Sequence, residues 1–228
     1  MKIAIVGLAG AGKDTFGEML VKHLGSDWEL AKYATPLKEL TRSIFGDDFD
    51  DREVKEVKQD LVHSNTYDSS ELFINMQKQI SSFLVANVPD LTLRNKCYDL
   101  WDSILSRISE ISPRQFQQLF GTEVMRSVDN NFWVDQLMSK QGNLIITDAR
   151  FENEIDKVDW VFLITNPNLD IKDAKYDHAS EQMAKLMTAE APLGGTLPDN
   201  VLYIANNADL KTLDNKAFIW ATLIKNVH

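Results

Sequence analysis

Six residues near the start of the chain have the types and spacing to hold phosphate: Gly7, Gly10, Gly12, Lys13, Asp14 and Thr15, in the run KIAIVGLAGAGKDT from Lys2 to Thr15. Glycines spaced as in GxxxxGK let the backbone turn tightly and aim successive N–H groups inward. The lysine reaches the β- and γ-phosphates of a nucleoside triphosphate, and a helix starting there adds the partial positive charge of its first turn. The strict pattern puts Ser or Thr directly after the lysine, where its hydroxyl ligates Mg²⁺. Here Asp14 stands in that place and Thr15 follows it. The competing reading is a glycine-rich strand-to-helix turn that carries no ligand. The loop by itself does not choose among kinase, GTPase and ATPase, although no NKxD-like segment stands where a GTPase would read its base.

Such a loop works only between a strand and a helix, and the flanking sequence supplies both. Ile3 to Val6 is a short apolar β-type run, and Phe16, Met19, Leu20 and Leu24 fall at helical spacing before a stop at Gly25. Further strands are expected at Trp28 to Ala34, Asn143 to Thr147 (NLIIT), Trp160 to Thr165 (WVFLIT) and Val201 to Ala205 (VLYIA), the last followed by a helix through Leu210, Leu213, Ala217, Trp220 and Ile224. Continuous apolar strands alternating with helices predict an α/β fold with a parallel sheet covered on both faces, of about five strands by the usual dimensions. Ligands in such sheets bind beyond the carboxyl ends of the strands. Asp148, closing NLIIT, falls there. It either holds Mg²⁺ through water, orients Arg150, or caps the helix that starts near Glu152.

Between the second and third of these strands the pattern is helical. Thr35-Pro36 opens a helix through Leu37, Leu40, Ile44 and Phe45. Two stripes follow, Leu72 to Leu84 and Cys97 to Ile108, and Ser112-Pro113 is a strong helix start whose helix meets Gly121 and resumes through Val124, Met125 and Val128. The aromatic residues in these stripes read as core. Asp47 to Asp60 carries seven acidic and three basic residues, a solvated run with no assigned role. Asn166 to Asn200 is a long polar connection of the kind that often forms a lid. It contains no arginine, only Lys172, Lys175 and Lys185.

At 228 residues and 44% hydrophobic content, the chain can bury a sizeable core in one domain with an inserted subdomain. A net charge of −10 argues against a grip on a nucleic-acid polymer. The single cysteine, Cys97, excludes an internal disulfide framework and suits a reducing compartment; its spacing with Leu100, Trp101 and Ile104 makes it core filler. No apolar run approaches membrane-spanning length, and GKDT directly after the apolar start argues against a signal peptide. A soluble, cytoplasmic protein without membrane partners is expected.

Three longer or denser segments add a resemblance. SPRQFQQLFGTEVMRSVDNNFWVD (Ser112 to Asp135), ITDARFENE (Ile146 to Glu154) and GKDT (Gly12 to Thr15) together resemble the deoxynucleoside monophosphate kinases of tailed bacteriophages. YATPLKEL (Tyr33 to Leu40), DHASE (Asp177 to Glu181) and IANNADLKTL (Ile204 to Leu213) agree in order, so the resemblance spans nearly the whole chain. It implies a three-layer P-loop kinase fold over residues 1–228, with a helical monophosphate-binding insertion at 35–140 and a lid-like segment at 166–200. It also implies transfer of the ATP γ-phosphoryl group, with Mg²⁺, to a 2′-deoxynucleoside 5′-monophosphate in the host cytoplasm, by a protein whose partners are small nucleotides. Small kinases of this kind can be homodimers.

Phosphoryl transfer is mostly positioning and neutralisation of phosphate oxygens, so basic side chains must converge between the two nucleotides. The resemblance implies Lys13, Asp14, Arg126, Asp148 and Arg150 as the catalytic set, with Asp14 and Asp148 near Mg²⁺ through water. Asp14 would contact the metal in that way or hold Arg126 or Arg150 near the acceptor phosphate, while Thr15 meets the donor's phosphates. Lys38, Arg42, Arg114, Gln118, Glu123 and Arg126 are implied on the acceptor side. Trp133 either stacks on the acceptor base or fills core, and Glu154 anchors an arginine or faces solvent. His178 and Glu181 belong to the cover, where Asp177 or Ser180 also suits a helix N-cap. The alternatives are another small-molecule kinase of this fold, of the dephospho-coenzyme A or phosphomevalonate type, or a P-loop protein that binds nucleotide to regulate a partner.

Overall fold

The computed structural model describes residues 1–61, 70–173, 179–190 and 199–227; at 179, 180, 190 and 227 the description is confined to the backbone. The chain divides into two compact units, Met1–Tyr33 with Val134–His228, and Ala34–Trp133.

The first unit is α/β. Its sheet has five parallel strands in the order β2 (Trp28–Ala31), β5 (Asn143–Ile146), β1 (Lys2–Val6), β6 (Trp160–Thr165), β7 (Val201–Ala205). Successive residues of a strand point to opposite faces, so a sheet with helices on both sides needs apolar side chains at every position. Ile3 and Ile5 of β1, Ile145, Phe162 and Ile164 pack on one face. They meet Phe16, Leu20 and Leu24 of α1 (Lys13–Leu24) and Leu213, Ala217, Ala221 and Ile224 of α9 (Leu210–Val227). Ala4, Val6, Leu144, Ile146, Val161 and Leu163 pack on the other, with Val134 and Leu137 of α6 (Phe132–Met138) and Ala184 of α8 (Ala179–Glu190). This makes three layers. Phe162 is fully buried and meets the edges of Phe16 and Trp220 at centroid distances of 5.6 and 5.3 Å. Burying a side chain of that size contributes roughly 1.5–3 kcal/mol.

β2 is shorter than the expected Trp28 to Ala34. Thr147 N still donates to Ala31 O at 3.3 Å, but Tyr33 N then donates to the Asp148 side chain at 2.8 Å, which turns the chain out of the ladder. The carboxyl ends of the strands therefore carry the loop after Val6, Lys32 and Tyr33, Thr147 and Asp148, and Asn206. No helix among the described residues is long and apolar enough to cross a membrane.

The second unit is mostly helical: α2 (Thr35–Phe45), α3 (Glu71–Asn87), α4 (Leu91–Leu105), α5 (Pro113–Gln118) and a π-helix (Leu119–Arg126). Side-chain caps set three of the starts. Ser70 accepts from Phe73 N at 3.2 Å, Asp90 from Leu93 N at 2.9 Å, and Ser112 from Gln115 N at 3.2 Å. Met76, Ile80, Leu84, Cys97, Trp101, Phe116, Phe120 and Val124 form a fully buried core. Phe116 and Phe120 stack at 5.5 Å and Trp101 stands edge-on to both. The sequence did not signal the short antiparallel pair β3 (Gln59–Asp60) and β4 (Glu110–Ile111), because two-residue strands leave no periodicity to read. Nor does the helix break at Gly121. It widens into the π-helix, and the Gly121 carbonyl accepts the Trp133 indole N–H at 3.1 Å.

Candidate functional site

β1 ends at Val6 and α1 begins at Lys13, so Gly7 to Gly12 make the connection at the carboxyl edge of the sheet. Gly7 lies against β6, where a Cβ would sit 2.4 Å from Ile164 O. Gly12 has φ of +99°, and a Cβ there would sit 2.6 Å from Asn206 Nδ2, which donates to Ala11 O at 2.9 Å. Any L side chain at Gly12 is therefore both strained and obstructed. Gly10, also at positive φ (+85°), completes the turn. The twelve-residue α1 has no side-chain cap at its start, so no N-cap side chain takes its first-turn N–H groups.

Lys13 folds back over the loop, its ammonium donating to Gly7 O at 2.7 Å and Leu8 O at 3.0 Å. Burial pulls its pKa below the usual lysine value; the carboxylates of Glu181, Asp14 and Asp148 push the other way and the Arg150 guanidinium adds to the lowering. Four of the expected residues, Glu181, Arg150, Asp14 and Asp148, thus act on Lys13. Asp14 receives the Thr147 hydroxyl at 2.7 Å and the Lys32 ammonium at 2.8 Å. Burial alone would raise its carboxyl pKa, but these two hydrogen bonds and the charges of Lys32 and Lys13 outweigh it and hold the pKa below the ordinary value. Asp14 has Lys32 as its ion-pair partner, a residue outside both expectations for it, which were Mg²⁺ through water or a hold on Arg126 or Arg150.

Asp148 accepts from Tyr33 N, and the Tyr33 hydroxyl donates to Glu154 O at 2.6 Å. Burial raises the Tyr33 phenol pKa, with the Glu154 and Asp148 carboxylates adding to the effect. Of the two readings of Glu154, the solvent-facing one does not hold. The residue is only 2% exposed, and its carboxylate accepts from the backbone N–H of Arg150 at 2.6 Å and of Phe151 at 3.2 Å, at the start of α7 (Glu152–Ile155). It fixes the turn that carries Arg150. The Arg150 side chain is half exposed and reaches Glu181, Nη1 to Oε1 at 3.5 Å. Glu181, on α8, is 7% exposed and also accepts from Ala9 N at 3.0 Å. His178 lies outside the described residues, as does much of the expected cover.

In the second unit three of the expected acceptor-side cations are engaged by the acidic run. Lys38 pairs with Asp50, Arg42 with Asp47 at 3.6 Å, and Arg114 with Glu56 at 3.1 Å; the Arg42 guanidinium also lies 5.8 Å from the Phe49 ring centroid. Exposed pairs of this kind contribute about 0–1 kcal/mol each and are given up cheaply. Gln118 ends α5 and is exposed, Glu123 is exposed on the π-helix, and Arg126 ends that helix half-buried. Of the two readings of Trp133, its burial agrees with core filling. The residue is 4% exposed, packs edge-on to Phe132 at 4.8 Å and lies 6.0 Å from Phe83, so its indole face is covered by this unit's own core.

Lys32, Thr147, Tyr33 and Asn206 were not anticipated from the sequence. Each sits one or two residues past the end of a parallel strand, and that position is the signal that would have found them. Among the described residues no three His, Cys, Asp or Glu side chains converge as a metal centre. Two carboxylates at the loop, Asp14 and Asp148, do fit Mg²⁺, which is commonly held by one or two carboxylates, its own waters and substrate phosphates. No protein-family model matches the chain, and no curated protein is significantly similar to it.

Proposed function

We propose that the chain is a deoxynucleoside monophosphate kinase, transferring the γ-phosphoryl group of ATP to a 2′-deoxynucleoside 5′-monophosphate. The observation that carries the reading is the convergence of Lys13 and Arg150 at the glycine loop, where both act on Glu181, whose carboxylate also accepts from the loop N–H of Ala9. A loop lysine suffices to hold a triphosphate; a second cation at the same place suits a group whose charge is redistributed as it transfers. The resemblance of Ser112 to Asp135 and Ile146 to Glu154 supplies the acceptor class.

In this reading the loop N–H groups, the start of α1 and Lys13 bind the β- and γ-phosphates. Asp14 and Asp148 would hold Mg²⁺ through water, and the metal would supply charge neutralisation between the phosphates. An oxygen of the acceptor's phosphate bonds to the γ-phosphorus as the bond to the β–γ bridging oxygen breaks, giving ADP and the deoxynucleoside diphosphate. Arg150, held by Glu154 through its backbone, stabilises the charge on the transferring oxygens. Lys38, Arg42, Arg114, Gln118, Glu123 and Arg126 are assigned to the acceptor on the resemblance, and the three paired cations among them exchange a surface carboxylate for its phosphate.

The test is ADP release from ATP in a coupled assay with dTMP, dGMP, dCMP, dAMP and their ribose counterparts. At least one deoxynucleotide should accelerate release well above the ATP-only rate. Release that no monophosphate accelerates overturns the reading.

A further inference from the structure

The carboxylate of Glu181 occupies donors that a phosphate would need. Its Oε2 accepts the Ala9 N–H at 3.0 Å and its Oε1 lies 3.5 Å from Arg150 Nη1, with the residue 7% exposed. Among the carboxylates that act on the Lys13 ammonium, Glu181 acts most strongly. A backbone N–H, a guanidinium and an ammonium around one anion are the donor set that phosphate oxygens use. A carboxylate is not neutral there. It satisfies buried donors while the site is empty, and it repels a second anion that approaches the same donors.

We propose that Glu181 is an internal competitor for the phosphate site, holding Ala9 N–H and Arg150 in the ligand-free protein and surrendering both to the terminal phosphate of a nucleoside triphosphate. This rests on the reading of Gly7 to Lys13 as a phosphate cradle. The Ala9 N–H has one hydrogen and cannot serve both anions at full strength. The exchange needs only a rotation of the Glu181 side chain, since α8 is anchored to the sheet face through Ala184, which is 4% exposed. Its consequence is selectivity by charge. A polyphosphate brings enough negative charge to displace the carboxylate, whereas a weaker anion such as free inorganic phosphate competes poorly, so Lys13 and Arg150 stay neutralised until the proper donor arrives.

Calorimetric titration of the whole protein with inorganic tripolyphosphate isolates the cradle from base and ribose. Glu181→Gln keeps the length and an acceptor oxygen but removes the charge, and should bind tripolyphosphate about tenfold more tightly than the wild type. Glu181→Ala should shift in the same direction. If the wild type binds tripolyphosphate and both variants bind it equally or more weakly, Glu181 holds Arg150 in place for the ligand and the competitor proposal is overturned. If neither wild type nor variants bind, the phosphate-cradle reading falls and the proposal falls with it. A measurement on the wild type covers variants that do not fold: on adding tripolyphosphate, the Glu181 side-chain carboxyl ¹³C resonance should move together with the Ala9 amide. An Ala9 shift with the Glu181 carboxyl signal unmoved overturns the proposal.

Discussion

Asp14 occupies the position where a hydroxyl would ligate the metal, and the carboxylate there is tied to Thr147 Oγ1 at 2.7 Å and Lys32 Nζ at 2.8 Å. Its lowered pKa fixes the sign of its effect on stability. The contribution is fully present above the unfolded carboxylate value of about 3.9 and is lost as pH falls through the lower folded value. Because the side chain is 61% exposed, solvent screens the pair and the contribution is small. Substituting Asp14 by Ser, which restores the strict motif, should shift the Mg²⁺ dependence of ADP release and lower turnover by about tenfold, since Lys32 and Thr147 lose their shared partner. It should also flatten the acid limb of the stability profile below about pH 4. Unchanged activity and metal dependence would make Asp14 incidental. Arg150→Ala addresses the transferring group. Turnover should fall by about a hundredfold or more while ATP binding weakens only a few-fold, read from single-turnover rates and a direct binding titration. Equal losses of rate and affinity would instead assign Arg150 to ordinary nucleotide binding.

Two elements control where these side chains stand. The turn after β5 carries Asp148 and Arg150, and it is held from both sides by Tyr33, which meets Asp148 and Glu154, and by Glu154, which accepts two backbone N–H groups. A buried carboxylate used in this way lends rigidity to the residues beside it. The π-helix plays the corresponding part in the second unit. Its widened turn leaves the Gly121 carbonyl able to accept the Trp133 indole, so the tryptophan is a structural partner of the segment that ends in Arg126. Trp133→Phe keeps an aromatic ring but removes that hydrogen bond and some volume. The expected cost is about 1–3 kcal/mol, measured by urea unfolding, with the KM for the monophosphate acceptor little changed. A raised acceptor KM at unaltered stability would return Trp133 to the base-stacking role.

At the scale of the molecule, a chain of net charge −10 gathers Lys13, Lys32 and Arg150 at one sheet edge and balances them there with Asp14, Asp148 and Glu181. The second unit is continuous in sequence, Ala34–Trp133, and its buried cluster from Leu40 to Trp133 lies wholly within it. A fragment of those residues should therefore fold by itself, giving a helical circular-dichroism spectrum and a cooperative melt. A disordered fragment would show that its helices need the rest of the chain. The five strands of the parallel sheet, the glycine loop and the cap at Ser112 were legible because apolar runs, glycine spacing and N-cap chemistry act over a few residues. The same local signals placed Asp148 at a strand end. They could not reveal that Lys32 and Thr147, the latter 133 residues away, would take Asp14, or that Glu181, 172 residues on, would close upon Ala9. Nor could they tell that Asp47, Asp50 and Glu56 would pair with Arg42, Lys38 and Arg114, three of the cations expected to meet the acceptor. The sequence by itself determined which chemical groups the chain has and which short elements carry them. The tertiary structure alone decided which of them meet, because a hydrogen bond or ion pair between distant residues is set by strand order and packing, and neither leaves a trace in local periodicity.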